Sequence, residues 1–391
     1  MSDKRVSLAR QRRALGMTQE QLAAAIGMGT DRSTIYRWEA GETTPPPLKQ
    51  PRLAHVLGLS SPELVELLTP GVAAEDPVSG SRVGYALRSP TSIDPATVAS
   101  LWQQVRGLEE RYDRTPSTSL LAEAGQVLGQ VEFLARSAGS GALQRDLIAA
   151  EATTARLMGQ LVWDASQRRD NRAARQYFDQ ATVAASGIGS PIAEGHALLR
   201  TSYIALYGES DPIEGLRLTE RAAETARSVS NALTGLANLH AAEARAMFGD
   251  TRGCESALAS AECRLSSLRD SDTAAHLFSE TQFHRLAGSC YLALGHHRRS
   301  QRTLETVAQA MTVHSKSRAI VLGNLSLAHL HQRDLDAAVT RLHDAIDVLE
   351  TTKGGGGLNI VSGVVRKLRR WRGEPAVHDV YDRVLSLMAT S

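Results

Sequence analysis

Only three cysteines occur in the 391 residues, Cys254, Cys263 and Cys290. They are too few for a secreted disulfide framework or a four-cysteine zinc site, which points to a reducing compartment. No run reaches the roughly 18 apolar residues of a membrane span. The opening MSDKRVSLARQRRALG carries charges throughout and lacks the apolar core of a signal peptide, so a cytoplasmic protein away from the membrane is expected. Charge of one sign is missing as well: 44 basic and 42 acidic side chains leave a net +2, and the chain as a whole is no sponge for polyanions. Aromatic residues are scarce at 4%, yet hydrophobic residues reach 42% and charged ones 22%, a balance that excludes disordered and collagen-like chains. At roughly 100 to 200 residues per domain the length suits two or three domains.

The usual marks of catalysis are absent too. No nucleophile elbow, phosphate-binding glycine loop, dinucleotide fingerprint or zinc-protease helix stands in a fitting context, so neither an enzyme nor a cofactor is expected. The GGGG at Gly354 to Gly357 has no strand before it and no Lys-Ser/Thr after it, and reads as a flexible hairpin loop. His296 and His297 point different ways on a helix, and His329 and His331 do not share a face, so no metal site is expected.

What is present begins at the N-terminus. Residues 1 to 55 hold nine basic side chains against five acidic ones, a local excess of +4. Within them, LARQRRALGMTQEQLAAAIGMGTDRSTIYRWEAGETTPP has the logic of two short helices joined by a tight turn. Thr18 caps a helix with Leu22, Ala23 and Ile26 on one apolar stripe, Gly27 and Gly29 permit the bend, and Thr30 or Asp31 caps the next helix. On that second helix Ile35 and Trp38 point inward, leaving Arg32, Ser33, Tyr36 and Arg37 outside. Two guanidiniums, a hydroxyl and a phenol on a short helix suit major-groove reading, because Arg bonds guanine edges in bidentate fashion.

These residues resemble the Cro and phage-repressor helix-turn-helix family, also called the xenobiotic-response-element family. The matching pieces are R-x-x-x-G-M-T-Q-E-Q-L-A from Arg12 to Ala23, D-R-S-T-I-Y-R-W-E-A-G from Asp31 to Gly41, and LAHVLGLSSPELVELL from Leu53 to Leu68. The resemblance implies double-stranded DNA as partner. It gives Gln19 the role of gripping phosphate, makes Arg32, Ser33 and Arg37 base readers, and makes Arg12 and Glu39 an internal ion pair. The turn Gly27-Met28-Gly29-Thr30 is about two residues longer than in many relatives of this family.

Residues 1–70 read as this domain and 71–93, rich in Pro, Gly and Ser, as a linker. Residues 94–391 read as helical throughout, with Asp94 as N-cap and Pro95 at the first helical position. Small residues recur there at Ala174, Gly215, Cys254, Ser300 and Ala338, spaced 41, 39, 46 and 38 apart. Four residues on come Phe178, Thr219, Leu258, Leu304 and Leu342; three further, Ala181, Ala222, Ala261, Val307 and Ala345. The pattern predicts five helix-turn-helix hairpins stacked as a tetratricopeptide-like solenoid, with capping helices near 95 to 140 and 358 to 389. Gly249 and Gly295 fall at hairpin turns and Gly288 at a close helix approach. The basic RKLRRWR at 366 to 372 reads as the solvated face of the last cap.

The expected fold is therefore all-α, a helix-turn-helix domain followed by a tetratricopeptide-like solenoid. The pairing of these parts resembles actinobacterial transcriptional regulators and, more distantly, the RRNPP peptide-sensing regulators. It implies a peptide or small-molecule effector; a homodimer is expected because one helix reads only a few base pairs, and stacked hairpins curve their first helices into a concave groove that would receive the effector. Gln160, Arg200, Glu243, Gln282, Arg285 and Asn324, on first helices and clear of the packing columns, are the candidate lining. The alternative is a DNA-bound adaptor whose repeats recruit a protein partner without a diffusible ligand.

Overall fold

The computed structural model describes residues 6–15, 17–27, 29–40, 42–46, 49–59, 64 and 77–389. Met28 of the turn, the expected tail at 60–63 and 65–70, and 71–76 of the expected linker lie outside them. All regular structure among the described residues is helical. The chain divides into two compact units, Met1–Gly80 and Ser81–Ser391.

In the first unit α1 (Val6–Ala14), α2 (Gln19–Ile26), α3 (Arg32–Glu39) and α4 (Gln50–Leu57) surround one small core. Leu8, Leu22, Ile26, Ile35, Trp38, Leu53, Leu57 and Leu64 meet in it. Thr18 starts α2 with a capping box: its hydroxyl accepts from Gln21 N at 3.1 Å while the Gln21 side chain accepts from Thr18 N at 2.8 Å. Gly27 and Gly29 sit at φ +66° and +65°, which L side chains avoid, and this permits the sharp turn into α3.

The division falls within α5 (Pro77–Arg88), whose part from Ser81 on opens the second unit, followed by α6 (Pro95–Tyr112) and α7 (Ser117–Ser137). The stretch read as linker differs here. Val83 and Ala86 of α5 are buried with Val98, Leu101 and Leu128, and Pro90–Ser92 form a turn of 3₁₀-helix, so the later part of 71–93 belongs to the packed array. Asp94 caps α6 as expected, its carboxylate accepting from Thr97 N at 2.7 Å.

Five hairpins follow. They are α8 (Ala142–Ala165) with α9 (Asn171–Gly187), α10 (Pro191–Tyr203) with α11 (Pro212–Ala226), and α12 (Asn231–Met247) with α13 (Thr251–Ser266). After these come α14 (Glu280–Ala293) with α15 (His297–Ala310) and α16 (Lys316–His331) with α17 (Leu335–Thr352). Residues Ile204–Glu209 extend α10 as a π-helical turn. The helix starts alternate. Ser190, Ser230, Ser279 and Ser315 cap the inner helices α10, α12, α14 and α16. Asp170, Asp211, Asp250 and Asp334 cap the outer α9, α11, α13 and α17. Within the five hairpins only α8, entered through Gly141, and α15, entered through His296, have no side-chain cap.

All three columns found in the sequence are buried. Their smallness has a steric cause. A Cβ on Gly288 would stand 2.5 Å from Leu304, and Ser300 Oγ donates to Gly288 O at 2.9 Å. Ser326 Oγ repeats that bond to Ala338 O at 2.7 Å. Gly249 and Gly295 occupy the turns at φ +81° and +80°.

The array is capped by α18 (Gly355–Lys367) and α19 (Pro375–Ala389). Here GGGG departs from expectation: it is no flexible loop, because Gly355–Gly357 are the buried first turn of α18. A Cβ on Gly355 would lie 2.8 Å from Asp164 O, and one on Gly357 2.7 Å from the Ala319 methyl, so glycine is what lets α18 approach. Arg370 of RKLRRWR stacks on Trp371 at 3.7 Å and Arg372 faces the Tyr381 ring at 5.1 Å.

Candidate functional site

The outer face of α3 is built by burial of the opposite one. Ile35 and Trp38 are 0% and 2% exposed, which turns Arg32, Ser33, Tyr36 and Arg37 to solvent; Tyr36 is 56% exposed, unusual for a large ring. Asp31 rather than Thr30 is the cap: its carboxylate accepts from Thr34 N at 2.7 Å, Thr34 Oγ1 at 2.6 Å and Ser33 Oγ at 2.9 Å. Those bonds, led by the Thr34 hydroxyl, hold its pKa down at about 2. Arg37 Nε reaches only the Ser33 carbonyl, at 3.4 Å, and Arg32 lies 3.5 Å from Glu20 with both side chains largely exposed. Such a solvated pair is worth little, so both guanidiniums are free to exchange partners.

Behind this face Arg12 Nε donates to Glu39 Oε1 at 2.6 Å, with both side chains 8% exposed. Gln19 joins them, its Nε2 donating to Glu39 Oε2 at 2.7 Å. One of its two amide hydrogens is thus held inside and the other remains available at the start of α2.

In the second unit the inner helices meet in a circuit. Lys316 of α16 returns to α8 and α7: its Nζ lies 2.9 Å from Asp164 Oδ2 and donates to Ser117 Oγ at 2.7 Å. Lys316 N donates to Asp113 O at 2.9 Å, and Gly355 N donates to Asp164 Oδ1 at 2.8 Å across 191 residues of sequence. The first hairpin therefore touches the last, where the end of α8 meets the starts of α16 and α18, and α8, α10, α12, α14 and α16 form the inner wall.

All six groove candidates lie on these inner helices, and they divide in two. The amides are engaged internally: Gln160 bonds the Tyr112 phenol, Gln282 Oε1 accepts from Arg285 Nε at 3.4 Å, and Asn324 Nδ2 donates to Ser289 Oγ at 3.1 Å. Glu243 accepts the Tyr207 phenol proton. Tyr207 Oη in turn meets His240 Nδ1 at 2.8 Å, and His240 Nε2 meets Tyr203 Oη at 2.8 Å. With Tyr207 donating to Glu243, the chain is satisfied by a neutral His240 protonated at Nδ1, which accepts from Tyr203. Burial lowers the His240 pKa in keeping with that form. The π-turn after Tyr203 keeps both tyrosines on His240.

Arg200 and Arg285 have no carboxylate partner among the described residues, and the same holds for Arg168, which sequence reasoning missed. Arg168 lies just after α8 at φ +59°, its guanidinium 4.5 Å from the Trp163 ring, and Arg200 covers Tyr203 at 5.0 Å. The Nε atoms of Arg168 and Arg200 are buried and make no hydrogen bond. An unsatisfied buried donor costs about 1 to 3 kcal/mol. Tyr112, Lys316, Tyr203, Tyr207 and His240 were also missed: they are recognisable only once the circuit is closed.

Residues 8–64 match the helix-turn-helix family. This part of the chain is a Cro/C1-type helix-turn-helix domain. The helix-turn-helix places α2 and α3 as its two helices, with the second presenting the polar face described above. No curated protein sequence matches the chain. Among solved structures, Bacillus thuringiensis PlcR in complex with the peptide PapR7 and DNA is similar at 15% identity, covering 67% of this chain and 94% of that one, with TM-score 0.30. Yeast Tom70 is similar at 13% identity, covering 96% and 84%, with TM-score 0.32. No described helix is long and apolar enough to cross a membrane.

Proposed function

We propose that this protein is a sequence-specific DNA-binding transcription regulator, a homodimer whose repeat domain receives a peptide or small-molecule signal on its inner wall. The observation that carries the reading is α3, a helix buried on Ile35 and Trp38 that offers two exposed guanidiniums to solvent in a helix-turn-helix frame, Arg32 held only by a solvated pair with Glu20. In this reading Arg32 and Arg37 bond base edges, with Ser33 and Tyr36 beside them. Gln19 touches phosphate with its second amide hydrogen, oriented by Glu39. One such helix reads only a few base pairs. Two copies on half-sites about one DNA turn apart supply the missing specificity, which is the reason for a dimer.

Residues 1–70 act as the DNA-binding part in this account and the array from α5 onward as the sensory and dimerising part. The test is to select bound fragments from random DNA with the purified full chain and sequence them. A two-fold symmetric sequence is expected; a retained pool with no enriched sequence defeats the reading.

A further inference from the structure

The guanidiniums of the inner wall converge. Arg168 stands 6.0 Å from the Tyr207 ring and Arg200 5.0 Å from the Tyr203 ring, two rings whose centroids are 5.7 Å apart, and Arg285 acts on both phenols. Tyr203 is itself fixed from behind by His240 and capped by Arg200. The aromatic faces of Trp163 and Tyr203 are covered by guanidinium planes, so what the wall offers inward is arginine and not ring surface. Lys316 is already paired with Asp164, and Arg156 with Glu109. Of the nearby carboxylates, Glu243 is held by Tyr207 and Asp113 faces Ser317. Three cations are left without an anion of their own.

The chemistry missing from this wall is therefore negative and multiply charged. A guanidinium approached along its Nε and Nη edge binds a carboxylate or phosphate through two parallel bonds; the Nε hydrogen of Arg200 is an unused half of that fork, whereas the Nε and Nη2 edge of Arg168 packs on Gly356. A peptide main chain would call instead on amide side chains with donor and acceptor both open, and Gln282 Oε1 and Asn324 Nδ2 are already bonded within the protein, which leaves each amide half of that pairing. We propose that the inner wall binds a small organic anion carrying two or more carboxylate or phosphate groups, held by Arg200 and Arg285 with the charge of Arg168 beside them. This rests on the reading of the repeat domain as the sensor and names the chemistry of its signal.

The experiment titrates the full chain with citrate and with pyrophosphate at constant ionic strength, chloride serving as control, by calorimetry and thermal unfolding. Either polyanion, or both, should bind and raise the melting temperature, and the one that binds more tightly identifies the oxyanion as carboxylate or phosphate. The double variant Arg200→Gln with Arg285→Gln should bind about tenfold or more weakly. Without anion it should keep the wild-type circular dichroism, because neither arginine holds an ion pair. Should the pair of changes prevent folding, Arg285→Gln alone must still weaken binding. If neither polyanion binds better than chloride, or the variant binds as tightly as the wild type, the site is wrong. DNA titrations with and without the polyanion separate this site from the sensor reading. Anion binding without a change in DNA affinity keeps the site and removes its role as signal. A DNA response to a peptide with no anion binding does the reverse.

Discussion

Lys316 and Asp164 form an ion pair at 2.9 Å with side chains 6% and 3% exposed, and this pair ties the last hairpin of the array to the first. Burial pulls the lysine pKa down, and Asp164 pushes back in favour of the charged ammonium. Replacing Lys316→Met strands a buried carboxylate, which costs about 3 to 5 kcal/mol. Urea unfolding should show that loss; a change below about 1 kcal/mol would show the closure to be incidental.

Glycine at the start of α18 is a second consequence of that closure. Gly355→Ala drives a methyl to within 2.8 Å of the Asp164 carbonyl and 3.1 Å of Gln167 Cα, both backbone atoms that cannot swing aside. About 1 to 3 kcal/mol should be lost. Gly373→Ala, with nothing within 4 Å, should stay near neutral. Equal melting temperatures for the two variants would return GGGG to the status of a loop.

The exposed polar face of α3 and the repeat columns were legible in the sequence because both are local. A cap, a glycine turn and Ile35 and Trp38 three apart settle which side of α3 is wet, and Ala174, Cys254 and Ala338 pack against helices a few residues upstream. The closure was not legible. Lys316 meets Ser117 across 199 residues and Gly355 meets Asp164 across 191, so no window on the chain brings them together. The four glycines were misread for that reason: their neighbours are Asp164, Arg168 and Ala319. Val83 and Ala86 were lost in a Ser- and Gly-rich stretch whose few apolar residues matter only against α6 and α7.

Acid should weaken the protein before its carboxylates titrate. His196 is buried beside Arg156 and Arg200, and desolvation first, then those two cations and His276, push its pKa well below 6.5; burial lowers His240 also. Below about pH 6.5 the unfolded chain takes up protons that the folded chain refuses, so stability falls as pH falls. Each histidine should contribute up to about 1.4 kcal/mol per pH unit in urea unfolding between pH 7 and 5. His196→Asn should flatten the slope. An unchanged slope would mean that His196 is charged in the folded protein.

Dimerisation belongs to the array in this account, and α5 sets where a fragment may begin. A chain from residue 77 onward should be dimeric in light scattering while 1–70 is monomeric. One beginning at 94 should melt lower, since it loses the buried Val83 and Ala86. A monomeric 77–391 at micromolar concentration would remove dimerisation from the array.

Arg37 carries the central claim, since its guanidinium stands on the exposed face of α3 with no carboxylate partner among the described residues. The most direct measurement is a pair of titrations of wild type and Arg37→Ala, one on the selected sequence and one on scrambled DNA at the same salt concentration. Binding to the selected sequence should weaken by about 1 to 3 kcal/mol while binding to scrambled DNA stays nearly unchanged. An equal loss on both sequences would make Arg37 a phosphate contact, and no loss on either would contradict the assignment of α3 as the reading helix.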